Sequence, residues 1–355
     1  MVSGDLNGDG IEDFAVSTFR KSTLYTYLVH ADGSISHAGR YELGTNTSYI
    51  DLGELNGDNF PDIVAVDCDI DKMFVLFGNG DGTMNLANIY DPGDRPQSAT
   101  ISDVNNDGFG DIIAGTLYSR GFRIYYGDGQ GDFPETEFIS TNATAGAFSQ
   151  VWDFDNDGYK DLVLSGNDRN GGTPFFGIFK GDAGGFTPTQ VWREPYRMAA
   201  HQLLDLNTDG YMDILVKSSP DGSGWAPSTR LRALINQGDG TFDFGDKVDV
   251  GLGHIMAKAD LDNDGDQDIA LTNREDPTLR VFRSNGKGWF EPMLEYPMPD
   301  VNDGVITLDL NQDKTPDILV SIYKSPGHRE VIPVYNHNYW QFPDSKEGQT
   351  NAGKN

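Results

Sequence analysis

Three scarcities narrow what this chain can be. Cys68 is the only cysteine in 355 residues, which excludes an internal disulfide and a cysteine-built zinc cluster. No apolar run reaches the roughly 18 residues of a membrane span. Cations are few: 26 Lys and Arg stand against 55 Asp and Glu, a formal net charge of −29, and that balance argues against a nucleic-acid footprint. The motifs H-E-x-x-H and G-x-S-x-G are also missing, so the metalloprotease and α/β-hydrolase readings lose their signatures.

What the chain has is a repeat. A nine-residue pattern begins at Asp5, Glu54, Asp103, Asp153, Asp205, Asp260 and Asp309, with starts 49, 49, 50, 52, 55 and 49 residues apart. A period near 50 carried through a whole chain predicts a propeller or a solenoid. Position three is Asn7, Asn56, Asn105, Asp155, Asn207, Asp262 or Asn311; position five is Asp9, Asp58, Asp107, Asp157, Asp209, Asp264 or Asp313. Position nine is always aspartate: Asp13, Asp62, Asp111, Asp161, Asp213, Asp268 and Asp317. With a backbone carbonyl from position seven (Ile11, Phe60, Phe109, Tyr159, Tyr211, Asp266, Thr315), these oxygens suit a hard cation such as Ca²⁺, up to seven ions in all. Position six is glycine in five copies, as a sharp positive-φ turn requires; Asn59 and Lys314 replace it, the lysine at the greater cost.

An EF-hand would need a bidentate Glu at position twelve and flanking helices. The residues there are Val16, Ala65, Ala114, Leu164, Val216, Leu271 and Val320, none of them a ligand. Position nine is followed at once by short apolar runs such as IVAV and IIAG, which read as buried strands. Each loop therefore joins two strands.

On these residues the chain resembles the FG-GAP or VCBS-type repeat family, whose propellers share the D-x-[DN]-x-D-G-x-x-D loop. The resemblance covers residues 1 to about 342. It implies an all-β, seven-bladed β-propeller of four-stranded antiparallel blades, with calcium in the loops. The family includes adhesion modules, lectins and some polysaccharide lyases, so the fold alone leaves function open.

A single propeller is expected over 1–342, with blades starting near 1, 48, 97, 147, 199, 254 and 303. Blade seven is expected to lack its outer strand, and the polar residues 343–355 to form a disordered tail from about Asp344. Much of the acidity is ligand charge, 23 of the 55 acids, and seven Ca²⁺ would bring −29 to −15. Millimolar calcium outside cells would fill such loops, so an extracellular or cell-surface address is expected. Met1 stands four residues before the first ligand, so the chain reads as a mature or excised part of a longer secreted protein. The Gly-Asp-Gly clusters downstream read as hairpin turns and not as phosphate loops, since no helix follows them.

A ligand is expected on the face opposite the calcium loops, where second-to-third strand loops and entry segments meet. Arg95, Arg120, Arg197 and Arg274 lie there with Tyr118, Tyr323 and Trp225, the last in the longest loop of blade five. Guanidinium forks beside aromatic faces suit a glycan or acidic polysaccharide. Alternatively these cations only neutralise nearby carboxylates and keep sheet edges soluble. A protein partner, as in adhesion propellers, is a further reading, and a lyase another. The lyase would need a base beside a uronate and a cation for the enolate, with Tyr196, Arg197, His201 and His254 as candidates.

Overall fold

In the computed structural model the described residues are 1–18, 22–119, 121–141, 148–166, 175–192, 197–219, 229–251, 255–272, 276–291, 294–325 and 328–336. Among them no residue is helical, and the strands form seven separate antiparallel sheets. In six sheets four strands follow one another in chain order; the seventh has three among the described residues, Asn302–Leu308, Asp317–Ser325 and His328–Val334. The residues after 336, with the tail expected there, lie outside the described set. This is a seven-bladed propeller.

Blade four illustrates the build: inner strand Phe148–Trp152, second strand Asp161–Gly166, third strand Phe175–Asp182 and outer strand Gly185–Trp192. The second strand is buried at every residue, as are Asp62–Asp67 in blade two and Asp111–Thr116 in blade three. Both faces of such a strand meet a neighbouring blade, which is why its sequence is a continuous apolar run and not an alternating one. Outer strands such as Glu135–Ser140 are mostly exposed.

The apolar core is divided by seams. Among the described residues there are seven clusters of buried side chains, each made by two adjacent blades. The seventh closes the ring: Phe14, Val16 and Val29 of blade one pack on Ile306, Leu308, Leu310 and Leu319 of blade seven. Inner strands touch in succession round the axis, and the first meets the last. Polar rungs cross between them, including Ile101 N–H to Asp51 Oδ2 at 2.9 Å, Thr100 Oγ1 with Ser149 Oγ at 2.8 Å, and Gln202 Nε2 to Met256 O at 2.9 Å.

The two ends of the ring differ. At one end entry segments meet second-to-third loops: Asp67 Oδ2 accepts the N–H groups of Thr45 and Asn46, and Asp71 Oδ1 accepts that of Arg95 at 2.7 Å. At the other end the loops after each inner strand meet third-to-fourth hairpins of the next blade. Gly82 N–H donates to Leu6 O at 3.2 Å and Gly288 N–H to Leu206 O at 2.7 Å.

Candidate metal centres and the grooves beside them

All seven nine-residue loops share one hydrogen-bond plan. The position-three oxygen accepts the N–H of position five, from 2.9 Å at Asn7–Asp9 to 3.3 Å at Asp155–Asp157 and Asp262–Asp264. Position five Oδ1 accepts the N–H of position seven, 2.8 Å at Ile11 and 3.0 Å at Asp266. Position one Oδ2 takes the N–H of position six in six loops, for example Gly108 to Asp103 at 2.9 Å and Lys314 to Asp309 at 2.8 Å. In the second loop the longer Glu54 binds the N–H groups of Asn56 and Gly57 instead.

Two residues per loop are left-handed. Position six has φ near +70 to +95° in every copy, including Asn59 and Lys314, as the sequence predicts. Position four is also left-handed in every copy: Gly8, Gly57, Asn106, Asn156, Thr208, Asn263 and Gln312. That turn is hidden in the sequence, because five of these are not glycine.

The closing aspartate does more than point into the loop. In every blade it is buried, one oxygen accepting the N–H of position two and the other an N–H at the end of the third strand. Asp111 takes Val104 N–H and Gly127 N–H, both at 2.9 Å; Asp268 takes Leu261 at 2.9 Å and Ser284 at 2.8 Å. Asp13, Asp62, Asp161, Asp213 and Asp317 repeat the arrangement. One carboxylate thus staples three strands of its blade.

Burial and the nearby carboxylates push this group up against the pull of its two N–H donors. Asp13, Asp111, Asp161 and Asp213 rise to about 6, Asp62 and Asp268 to about 7, and Asp317 rises as well. A cation in the loop would reverse that pressure.

The donor set fits a hard cation. Glu54 Oε2 and Asp103 Oδ1, both on position-one carboxylates, are buried without a hydrogen-bond partner. Carboxylate oxygens of Asp153, Asp155 and Asp161 converge within 4.8 Å, as do those of Asp260, Asp262 and Asp268. Oxygen-only donors with buried, unpartnered lone pairs suit Ca²⁺ better than Zn²⁺.

Grooves between blades lie beside these loops among the described residues. A cavity of about 440 Å³ between blades three and four is lined by Tyr126, Glu135, Glu137, Tyr159, Asp182 and Phe186, among others. Tyr126 donates its hydroxyl to Glu137 Oε2 at 2.7 Å, and burial with that contact pushes the phenol well above its ordinary range. Tyr159 is 38% exposed. The next groove, about 220 Å³ between blades four and five, includes Trp152 and Tyr211, with Lys160 Nζ 5.7 Å from the Trp152 ring centroid.

At the opposite end, Arg95 stands 3.8 Å from Asp69 Oδ1 and Tyr118 is 40% exposed. Arg197 and His201 lie on the inner strand of blade five, and Tyr323 on the second strand of blade seven. Arg120, Tyr196, Trp225, His254 and Arg274 lie outside the described residues. Sequence reasoning named the loops but missed the grooves, whose signal was the aromatic residue at position seven beside acidic hairpins.

A model of FG-GAP-like repeats matches residues 5–65, 54–114, 103–164, 153–216 and 260–320, well over half of the chain. The chain belongs to the FG-GAP-like repeat family. No curated protein sequence matches it significantly. Among solved structures, this FG-GAP-like chain is similar to BBS1N, solved in complex with ARL6DN (TM-score 0.63, 10% identity, 94% of this chain and 90% of that one). It is also similar to an Agrocybe aegerita lectin that recognises non-reducing terminal N-acetylglucosamine (TM-score 0.57, 16% identity, 96% and 95%). A third is a functionally unknown protein from Desulfotomaculum acetoxidans (TM-score 0.59, 12% identity, 87% and 88%). At these identities the FG-GAP-like chain shares a fold with them. One such propeller meets a protein and another a sugar.

Proposed function

We propose that this propeller is a calcium-stabilised carbohydrate-binding module that works outside the cell, its sugar sites lying in the grooves between blades at the calcium-loop end. The observation that carries the reading is the groove between blades three and four. Its aromatic rings Tyr126, Tyr159 and Phe186 stand beside the carboxylates of Glu135, Glu137 and Asp182. A sugar offers a protein apolar C–H faces that pack on aromatic rings and hydroxyls that both donate and accept hydrogen bonds, the donated ones suiting fixed carboxylate acceptors. A few oriented polar groups in a half-open cavity supply both.

This reading moves the site from the end of the ring expected from the loop cations. It also changes the ligand's charge. Carboxylates repel uronates and sulfates, so neutral or amino sugars fit the groove better than an acidic polysaccharide. A lyase acting on uronates is correspondingly disfavoured here.

The test is a glycan array with millimolar calcium, followed by calorimetry on the best hit. Binding to neutral or amino-sugar termini is expected, weakened about tenfold in Tyr159→Ala and several-fold in Glu135→Gln, the size of loss typical for a single contact residue at an interface. Absence of binding across the array, or selective binding of uronate polymers untouched by Tyr159→Ala, would overturn the proposal.

A further inference from the structure

The seven loops are not chemically alike, and the difference is matched elsewhere in the blade. Position three is asparagine in five loops and aspartate in two, Asp155 and Asp262. In all five asparagine loops the side-chain amide donates to Oδ2 of position five. Asn7 reaches Asp9 at 3.0 Å, Asn56 reaches Asp58 at 3.1 Å, and Asn105 reaches Asp107 at 2.9 Å. Asn207 reaches Asp209 at 2.8 Å and Asn311 reaches Asp313 at 3.0 Å. An aspartate has no such hydrogen to give.

In the two aspartate loops that oxygen is met by a cation from the third strand. Lys180 Nζ lies 2.9 Å from Asp157 Oδ2 and also contacts Asp155 Oδ2. Arg283 reaches Asp264 Oδ2 at 2.9 Å through its terminal nitrogen, while its Nε lies 2.6 Å from Asp262 Oδ2. The strand register makes these two residues equivalent. The residue after position nine pairs with Phe179 in blade four and Phe282 in blade six, and the next residue along is Lys180 or Arg283. The same step in the other five blades, counted from Tyr27, Leu76, Tyr125, Leu234 and Val334, leads to Leu28, Phe77, Tyr126, Ile235 and Tyr335. A basic residue thus occupies this position in the two blades whose loop carries the extra carboxylate, and in no other.

We propose that Lys180 and Arg283 are positioning residues of the fourth and sixth metal loops, standing in for the amide hydrogen and cancelling the charge that Asp155 and Asp262 add. Four ligand carboxylates offset by one ammonium leave loop four with the same net charge as an asparagine loop. The Oδ2 atoms are held by the cation, which leaves the Oδ1 atoms of positions three and five, each accepting one backbone N–H, with a lone pair for the ion. The effect on metal affinity rests on the calcium reading above; the effect on the metal-free loop does not.

The test compares the full chain as wild type, Lys180→Leu, Asp155→Asn, the two combined, and Lys180→Arg. Thermal melting in chelator is the first readout. Lys180→Leu should lower the melting temperature by about 3 °C, since it strands two neighbouring carboxylates. Lys180→Arg should stay near wild type, and the double variant should regain most of the loss, because the amide introduced by Asp155→Asn can then donate to Asp157. Calorimetric calcium titration of the metal-free proteins is the second. Affinity at one class of site should rise several-fold in Lys180→Leu, fall in Asp155→Asn and return in the double variant. A double variant no better than Lys180→Leu in chelator, or a Lys180→Leu protein indistinguishable from wild type there, overturns the proposal. A wild type that takes up no calcium sinks the calcium reading and leaves the melting comparison to decide this one. Arg283→Leu with Asp262→Asn provides a second cycle should a blade-four variant fail to fold.

Discussion

Thr208 is the residue that the loop suits least. It sits at position four with φ of 57°, a conformation in which a β-branched side chain crowds its own backbone, whereas asparagine, found there in three other loops, tolerates it. Its hydroxyl donates to Gly286 O at 3.3 Å, and an asparagine amide can replace that donor. Thr208→Asn is therefore expected to stabilise by about 1 kcal/mol, a rise of about 2 °C in melting temperature. A lower melting temperature would mean that the hydroxyl matters more than the strain. Glycine has its own use nearby: a Cβ on Gly129 would lie 2.2 Å from the ring of Phe109, so the side chain at position seven covers a hairpin that only glycine can form.

At the scale of the strand, the closing aspartate decides whether a blade holds together in the absence of an ion. Asp111→Ala leaves the buried N–H groups of Val104 and Gly127 without acceptors, and a cost of about 3 kcal/mol is expected from two such losses. Urea unfolding in chelator, where no ion contributes, measures it, and a change under about 0.5 kcal/mol, the range of an ordinary surface substitution, would rule the staple out. The strands themselves were readable in advance, because each apolar run after position nine has both faces covered and each Gly-Asp-Gly cluster marks a hairpin. The staple was not. Its second donor lies 16 residues on in blade three but 23 in blade five, so no fixed spacing betrays it. The role of Lys180 was equally hidden, since the pairing with Asp155 emerges only when third strands are aligned by register. The grooves escaped because they are built by two blades, and a single repeat contains half of each.

For the whole ring, the nine-residue loops matter beyond their own blades. Leu6 O and Leu206 O accept N–H groups from the following blade, and Phe154 O and Leu261 O accept the side-chain amides of Asn236 and Asn336 at 2.8 and 2.7 Å. If a loop binds an ion, losing it would therefore loosen a seam as well as a hairpin. Ligand binding at a hundredfold excess over its dissociation constant stabilises by about 2.7 kcal/mol per site, so chelation is expected to lower the melting temperature by about 10 °C or more. Scanning calorimetry in millimolar calcium and in chelator measures this, and superimposable curves would refute a structural role for the metal.

Six of the seven seams join residues from consecutive repeats; the one between Val16 and Leu319 joins residues roughly 300 positions apart. Chain entropy charges such a closure about 1.5 kcal/mol more than it charges a neighbouring-blade contact, on the logarithmic dependence of loop cost on length. The blades can therefore assemble in sequence as an open arc, with the circle completed only at the end. That final joint is the one whose parting returns the most freedom to the chain.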